Sequence, residues 1–94
     1  MHISVLTLEL NLPGCASLKE KRGRLKPLLA GVHRRYNVSA AEVDLQDSHT
    51  RSVVACALVS NDPGQSDRGL AGIPGWLEQR FPDVAIVDHR IQPL

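Results

Sequence analysis

Hydrophobic and polar residues alternate along four stretches of the chain, near residues 3–11, 39–47, 51–60 and 84–91. A period of two is typical of β-strands, because successive side chains of a strand point to opposite faces of the sheet. The first and third stretches are apolar on both faces, which predicts two strands at the centre of a sheet. The second stretch has one polar face, so we expect it at a sheet edge.

A helical pattern lies between the first two predicted strands. Ser17 and Glu20 form the S-x-x-E signal of a helix start, and apolar residues then recur at helical spacing as far as Tyr36. Asn37 readily adopts the left-handed conformation that ends a helix. The pattern therefore predicts a helix over residues 18–35.

Pro27 lies inside this predicted helix, where it removes one backbone hydrogen bond and its ring meets the carbonyl four residues earlier. That earlier residue is Gly23, which has no side chain. The apolar pattern continues in register past the proline, so we expect a bend near residues 23–27. A helix that begins only at Lys26 is the alternative.

A second helical pattern follows the third predicted strand. Asp62 is suited to the N-cap and Pro63 to the first helical position. Helical spacing is kept by Leu70, Ile73, Leu77 and Phe81. Three glycines weaken the first half of this helix, and Pro74 is a position where a helix can restart.

The resulting order is β-α-β-β-α-β. With right-handed crossovers this order predicts an α+β fold, the ferredoxin-like sandwich, in which an antiparallel four-stranded sheet carries two helices on one face. A chain of 94 residues is long enough for one modest core, so we expect a single domain over residues 1–94.

The first predicted helix carries most of the positive charge, although the net charge of the whole chain is only +1. Its basic residues are Lys19, Lys21, Arg22, Arg24, Lys26, Arg34 and Arg35. The only acid among them is Glu20, whereas solvated surfaces usually mix both signs. A row of cations can contact phosphates without reading base sequence, so these seven residues form the candidate nucleic-acid-binding site. A solvated helix face that only keeps the protein soluble is the alternative.

Aromatic residues are absent from the first and third predicted strands. The commonest RNA-binding domain of this fold stacks bases on aromatic rings of the two central strands. We therefore do not expect the open sheet face to act as a platform for stacking bases.

No arrangement of residues predicts a reaction. Cys15 and Cys56 are far apart in the chain and lack any CxxC spacing, and no glycine-rich phosphate loop is present. Cys15 and His33 belong to opposite ends of the first helix, which argues against a nucleophile–base pair. Asp47-x-His49 is only a weak metal signal. We expect no enzymatic activity, no cofactor and no metal.

Two lone cysteines are typical of a reducing compartment, and neither a signal peptide nor a membrane span is evident. We therefore expect a cytoplasmic protein. Because the central strands are apolar on both faces, we also expect the open sheet face to form a homodimer. The rival explanation is that Pro93 and Leu94 fold over that face.

Three segments resemble the YlxP-like family of small bacterial proteins. They are "SLKEKR" at 17–22, "YNVSAAEVD" at 36–44 and "VSND" at 59–62. The resemblance implies a ferredoxin-like fold, and the usual company of these genes, near those for translation initiation factors and ribosome-binding factor A, implies a role in ribosome maturation or translation. It implies no known activity and no catalytic residues. His49 stands where the family usually has tryptophan, and the second helix is less regular than usual.

These observations together predict a non-enzymatic protein that binds RNA or a ribosomal particle through its basic first helix. The alternative is a dimeric protein–protein adaptor or a small-ligand regulatory module that uses the open sheet face.

Overall fold

The computed structural model describes all 94 residues and contains four strands and three helices. In chain order these are β1 (His2–Asn11), α1 (Leu18–Tyr36), β2 (Ser39–Asp44), β3 (Arg51–Ser60), α2 (Pro63–Ala71), α3 (Ile73–Arg80) and β4 (Ala85–Pro93). The sheet has the order β2-β3-β1-β4, and every neighbouring pair is antiparallel. The ferredoxin-like arrangement is therefore confirmed, with β1 and β3 at the centre.

The core lies between the sheet and the helices. Alternate residues of β1 are buried from Ser4 to Leu10, as are Ser52, Val54 and Cys56 of β3. Burying each such apolar side chain stabilises the fold by about 1.5–3 kcal/mol. The residues between them face the other side of the sheet and are partly exposed, so the central strands have one fully buried face and one open face.

Polar caps define both ends of α1. The Oγ atom of Ser17 accepts a hydrogen bond from the backbone N–H of Glu20 at 3.0 Å, and the Glu20 carboxylate accepts one from the N–H of Ala16 at 2.6 Å. At the other end Asn37 has φ 54°, and its N–H donates to the carbonyl of His33 at 3.0 Å. Both predicted helix ends are confirmed within one residue.

The helix α1 continues without interruption through Pro27. Leu25 on one side of the proline and Leu28 and Val32 on the other are all buried, so the core-facing side keeps its register. The alternative of a helix that begins at Lys26 is therefore wrong.

The second helical region is divided at Gly72 into α2 and α3. Asp62 caps α2 by accepting a hydrogen bond from the N–H of Gly64 at 3.0 Å, and Pro63 occupies its first turn as predicted. Pro74 lies in the first turn of α3, which confirms it as the place where the helix restarts.

The edge strand β2 is three residues shorter than predicted. Leu45 has φ 58°, a left-handed conformation that leaves the strand, and its N–H donates to Oδ1 of Asp44 at 2.7 Å. The hydrophobic pattern of β2 would place Val43 inward and Glu42 outward. The structure has the opposite arrangement, because Glu42 is half-buried whereas Val43 is 50% exposed.

Both edge strands contain a β-bulge. The register of β2 against β3 shifts between Glu42 and Asp44, which leaves Val43 as the extra residue. The register of β4 against β1 shifts opposite Glu9 and leaves Val87 as the extra residue. Bulges of this kind increase local twist and interrupt the hydrogen-bond ladder.

Lys21 is buried, so the prediction that it contacts phosphates is wrong. Its Nζ atom donates to the carbonyls of Leu45 and Ser48, each at 2.7 Å, and forms an ion pair with Glu42 at 2.7 Å. These three partners match the three N–H donors of an ammonium group. The Glu42 carboxylate also accepts a hydrogen bond from Ser52 at 2.7 Å, so one network joins α1, β2, β3 and the turn between the two strands.

No helix of the chain is both long enough and apolar enough to cross a lipid bilayer.

Replacing Lys21 with alanine should destabilise the protein by about 3 kcal/mol, because it leaves the Glu42 carboxylate and two inward-facing carbonyls without their partner. Urea denaturation followed by circular dichroism measures this loss. Lys19→Ala, on an exposed position of the same helix turn, is the matched control and should change stability by less than about 0.5 kcal/mol. Equal denaturation midpoints for the two variants would contradict the structural role of Lys21.

Burial raises the pKa of the Cys56 thiol to about 11. Below the ordinary thiol pKa of about 8.5, folded and unfolded chains are both protonated and the thiol adds no pH dependence. Above it the unfolded chain loses its proton first, so stability should fall by roughly 1–2 kcal/mol between pH 7.5 and pH 10. Cys56→Val removes this contribution. The wild type should therefore lose more unfolding free energy than the variant over that interval, and parallel losses would disprove the assignment.

Candidate nucleic-acid interface

Five of the seven predicted cations lie exposed on α1 and have no ion-pair partner. They are Lys19, Arg22, Lys26, Arg34 and Arg35. Their charges are therefore compensated by solvent and counterions only. This leaves them able to contact an anionic partner without first breaking an internal ion pair.

Arg24 has a different environment from these five. It is half-buried, its guanidinium donates to the carbonyl of Pro13 at 3.0 Å, and it lies 3.6 Å from the carboxylate of Glu20. The same Glu20 carboxylate caps the helix start, so the only acid of the basic stretch is engaged twice. Arg24 thus fastens the start of α1 to the loop after β1, and Lys21 lies inside the protein.

The exposed cations do not all share one side of α1, because Arg35 lies about 180° round the helix from Lys26. At 100° per residue, Lys19, Arg22 and Lys26 lie within a sector of about 60°, on the side of the helix toward β2. Arg34 comes two turns after Lys26, and at 1.5 Å per residue the distance from Lys19 to Arg34 along the axis is about 22 Å. Arg34 and Arg35 also occupy the last turn, where the helix dipole favours positive charge.

Arg22 and Lys26 border a shallow depression of about 310 Å³ between α1 and β2. Leu25 and Leu29 form its apolar floor. Glu42 is the one acid that reaches it, and that carboxylate is already bound by Lys21 and Ser52. The local charge at the rim is therefore positive.

The open sheet face is divided into an apolar end and a charged end. At the apolar end Ile3, Val5 and Ala57 are partly exposed and Val59 is 59% exposed, with Ser39 and Gln92 beside them on the outer strands. The other end is charged and holds the carboxylates of Glu9 and Asp88. No aromatic ring lies on this face, because the chain's aromatic residues occur outside the strands.

The C-terminal residues do not cover the apolar end of this face. The N–H of Leu94 donates to the carbonyl of Ile3 at 2.9 Å, so the chain continues in line with β4 beside β1. The Leu94 side chain is 86% exposed. The rival explanation, in which Pro93 and Leu94 fold over the face, is wrong.

The residues considered for catalysis are held apart. Cys15 is buried in the loop before α1, and Cys56 is buried in β3. His33, near the end of α1, has its Nδ1 atom 2.6 Å from the carbonyl of Val38, and since a carbonyl only accepts, Nδ1 carries the proton. No group of three histidine, cysteine or acidic side chains lies close enough to hold a metal ion.

An aromatic cluster is the feature that the sequence reasoning missed. Tyr36, Trp76 and Phe81 are all the aromatic residues of the chain, and they meet where α1 packs against α3. Ring centroids are 5.8 Å apart for Tyr36 and Trp76 and 6.0 Å apart for Trp76 and Phe81, both in edge-to-face geometry. The signal that could have found it was the helical spacing of Tyr36 and Phe81 on the core-facing sides of their helices.

Comparisons with known proteins identify a family and assign no activity. Residues 3–91 match the model of a family described as a protein of unknown function, DUF503. A relative from Bacillus subtilis (strain 168), described as an uncharacterized protein YlxP, is 35% identical over 68 residues, which make up 72% of this chain and 73% of the relative. The match covers nearly the whole fold, from β1 to β4. The chain therefore belongs to the DUF503 family, as the resemblance of its three motifs to YlxP-like proteins predicted.

Proposed function

We propose that this protein is a non-enzymatic RNA- or ribosome-associated binding protein whose helix α1 contacts phosphates. The observation that carries the proposal is the set of five exposed cations without ion-pair partners on that helix. Phosphate contacts of this kind supply affinity and orientation without reading base sequence. The gene neighbourhood that the family resemblance implies supports ribosome maturation or translation as the setting, and a cytoplasmic location is part of the proposal.

The rigidity of α1 supports this proposal. The caps at Ser17 and Asn37 fix both ends of the helix, and the buried ammonium of Lys21 fixes its first turns against the sheet. Cations on such a helix have a defined spacing before any partner arrives. Less conformational entropy is then lost on binding than with cations on a flexible tail.

Changing Lys19, Arg22 and Lys26 together to glutamate should weaken binding to ribosomal particles strongly. Each lost phosphate contact also removes about 0.7–0.9 units from the slope of log affinity against log salt, so the slope should flatten by roughly two to three units. Folding should survive, because all three side chains are exposed. Co-sedimentation with ribosomal particles across a salt series measures both quantities.

A matched pair of double variants separates the helix from net charge in general. Arg22→Glu/Lys26→Glu and Arg68→Glu/Arg90→Glu change the protein's charge equally, and all four residues are exposed. Only the first pair should lower affinity and salt slope beyond the general effect of charge. Identical affinity and slope in the parent and the triple variant, with both folded, would refute the proposal and leave α1 as a solvated surface.

A second candidate function is protein–protein association through the apolar end of the open sheet face, beginning with a homodimer. It is favoured by the exposure of Val59 beside the half-buried Val5 and Ala57, because a partner surface would remove these apolar side chains from water. In this alternative the protein is a dimeric adaptor or a small-ligand regulatory module, and the cations of α1 are only its solvated side.

Analytical ultracentrifugation at micromolar concentration tests the dimer. We expect the parent to sediment as a dimer and Val59→Lys to shift it toward monomer, because a charge buried in an apolar interface loses its hydration. Val87→Lys is the control, since Val87 is 60% exposed and lies at the opposite end of the sheet. A parent that sediments as a clean monomer would exclude the dimer.

A further inference from the structure

A groove of about 400 Å³ lies between α1 and α3, next to the aromatic cluster. One wall is the outer side of α1 around Ala30 and Gly31, and the other contains Trp76 and Phe81. Its size falls within the roughly 300–1,000 Å³ range of sites that hold small organic groups. The groove is separate from the depression beside β2.

Two arginines border the groove, and no acid lines it. Arg34 comes from α1 and Arg80 from α3, and neither forms an ion pair or a hydrogen bond within the protein. Arginine guanidinium groups suit phosphate oxygens because their planar donors match them in geometry. The groove therefore combines positive charge at its rim with aromatic surface inside.

The aromatic surface is held in place by packing. A side chain at Gly31 would bring a Cβ atom to 3.0 Å from the indole of Trp76, so the glycine allows the ring to approach the α1 backbone. Phe81 meets the same indole in edge-to-face geometry. Tyr36 also meets the indole of Trp76 in edge-to-face geometry. Its hydroxyl donates a hydrogen bond to the carbonyl of Gly72 at 3.1 Å.

The groove lies farther along α1 than Lys26 and on the flank of the helix that faces α3. Arg34 lies two helical turns beyond Lys26, which is about 12 Å along the axis. A nucleic-acid backbone that follows α1 from Lys19 would reach the groove by turning about 80° round the helix between Lys26 and Arg34.

Aromatic surface together with unpaired guanidinium groups is the chemistry that recognises an unstacked nucleotide, whose base packs on a ring while its phosphate binds the cation. In a duplex the faces of each base are stacked on the neighbouring base pairs, so a base-paired nucleotide cannot place its base on a protein ring. We propose that the α1–α3 groove binds one unpaired nucleotide of the RNA whose backbone lies along α1, so that the protein prefers single-stranded over duplex RNA. This inference rests on the proposed function of α1.

Trp76 is the only tryptophan of the chain, so its fluorescence reports the groove directly. A single-stranded RNA oligonucleotide and the duplex of the same sequence are titrated into the full chain. Anisotropy of a label on the RNA measures binding, and indole emission measures contact with the groove. We expect the single strand to bind roughly tenfold more tightly than the duplex and to quench the indole, whereas the duplex binds without quenching.

Arg34→Gln/Arg80→Gln provides a second test, because both residues are exposed and the variant should fold. It should bring the affinity for the single strand close to that for the duplex. Arg68→Gln, on α2 and outside the groove, should leave their ratio unchanged.

The two proposals fail in different ways. If both RNAs bind with equal affinity and the indole emission does not change, the groove inference is overturned while the function of α1 stands. The same holds if the arginine variant keeps the parent's preference. If anisotropy detects no binding of either RNA, both proposals are overturned.

Discussion

The buried ammonium of Lys21 is the interaction on which the arrangement of one side of the molecule depends. Removing an ammonium group from water is costly unless all its donors find acceptors, and here two carbonyls and one carboxylate satisfy them. Those acceptors come from β2 and from the turn that follows it. The ammonium group therefore specifies the position of α1, the inward orientation of the Glu42 side chain and the course of the turn. An apolar contact is non-directional and could not specify all three.

The basic stretch contains two kinds of residue. Lys21 and Arg24 hold α1 to its surroundings, whereas Lys19, Arg22 and Lys26 leave their charges in solvent. A count of positive charge along the sequence treats all five alike. Their division follows from helical geometry, because residues two apart on a helix lie about 160° from each other and so face opposite ways.

Those parts of the fold that depend on short-range patterns could be predicted from the sequence. The bounds of β3, the caps of α1 and the restart of the helix at Pro74 all follow from neighbouring residues. The early end of β2 could not be predicted, since a leucine seldom takes the left-handed conformation that Leu45 has. The burial of Lys21 depends on acceptors more than twenty residues away, and the aromatic cluster depends on how α3 packs against α1, so both required the tertiary structure.

The bulges at Val43 and Val87 have a consequence for how copies of this protein can meet. A flat, regular edge strand offers a row of free N–H and carbonyl groups to which another chain can add a strand, and repeated addition leads to fibrils. Here both outer strands are interrupted and twisted where an exposed valine would otherwise encourage such growth. The bulges thereby discourage contacts between copies along the edge strands, where strand addition could continue from one copy to the next. A contact through the broad face of the sheet would instead be closed by a twofold axis after one step.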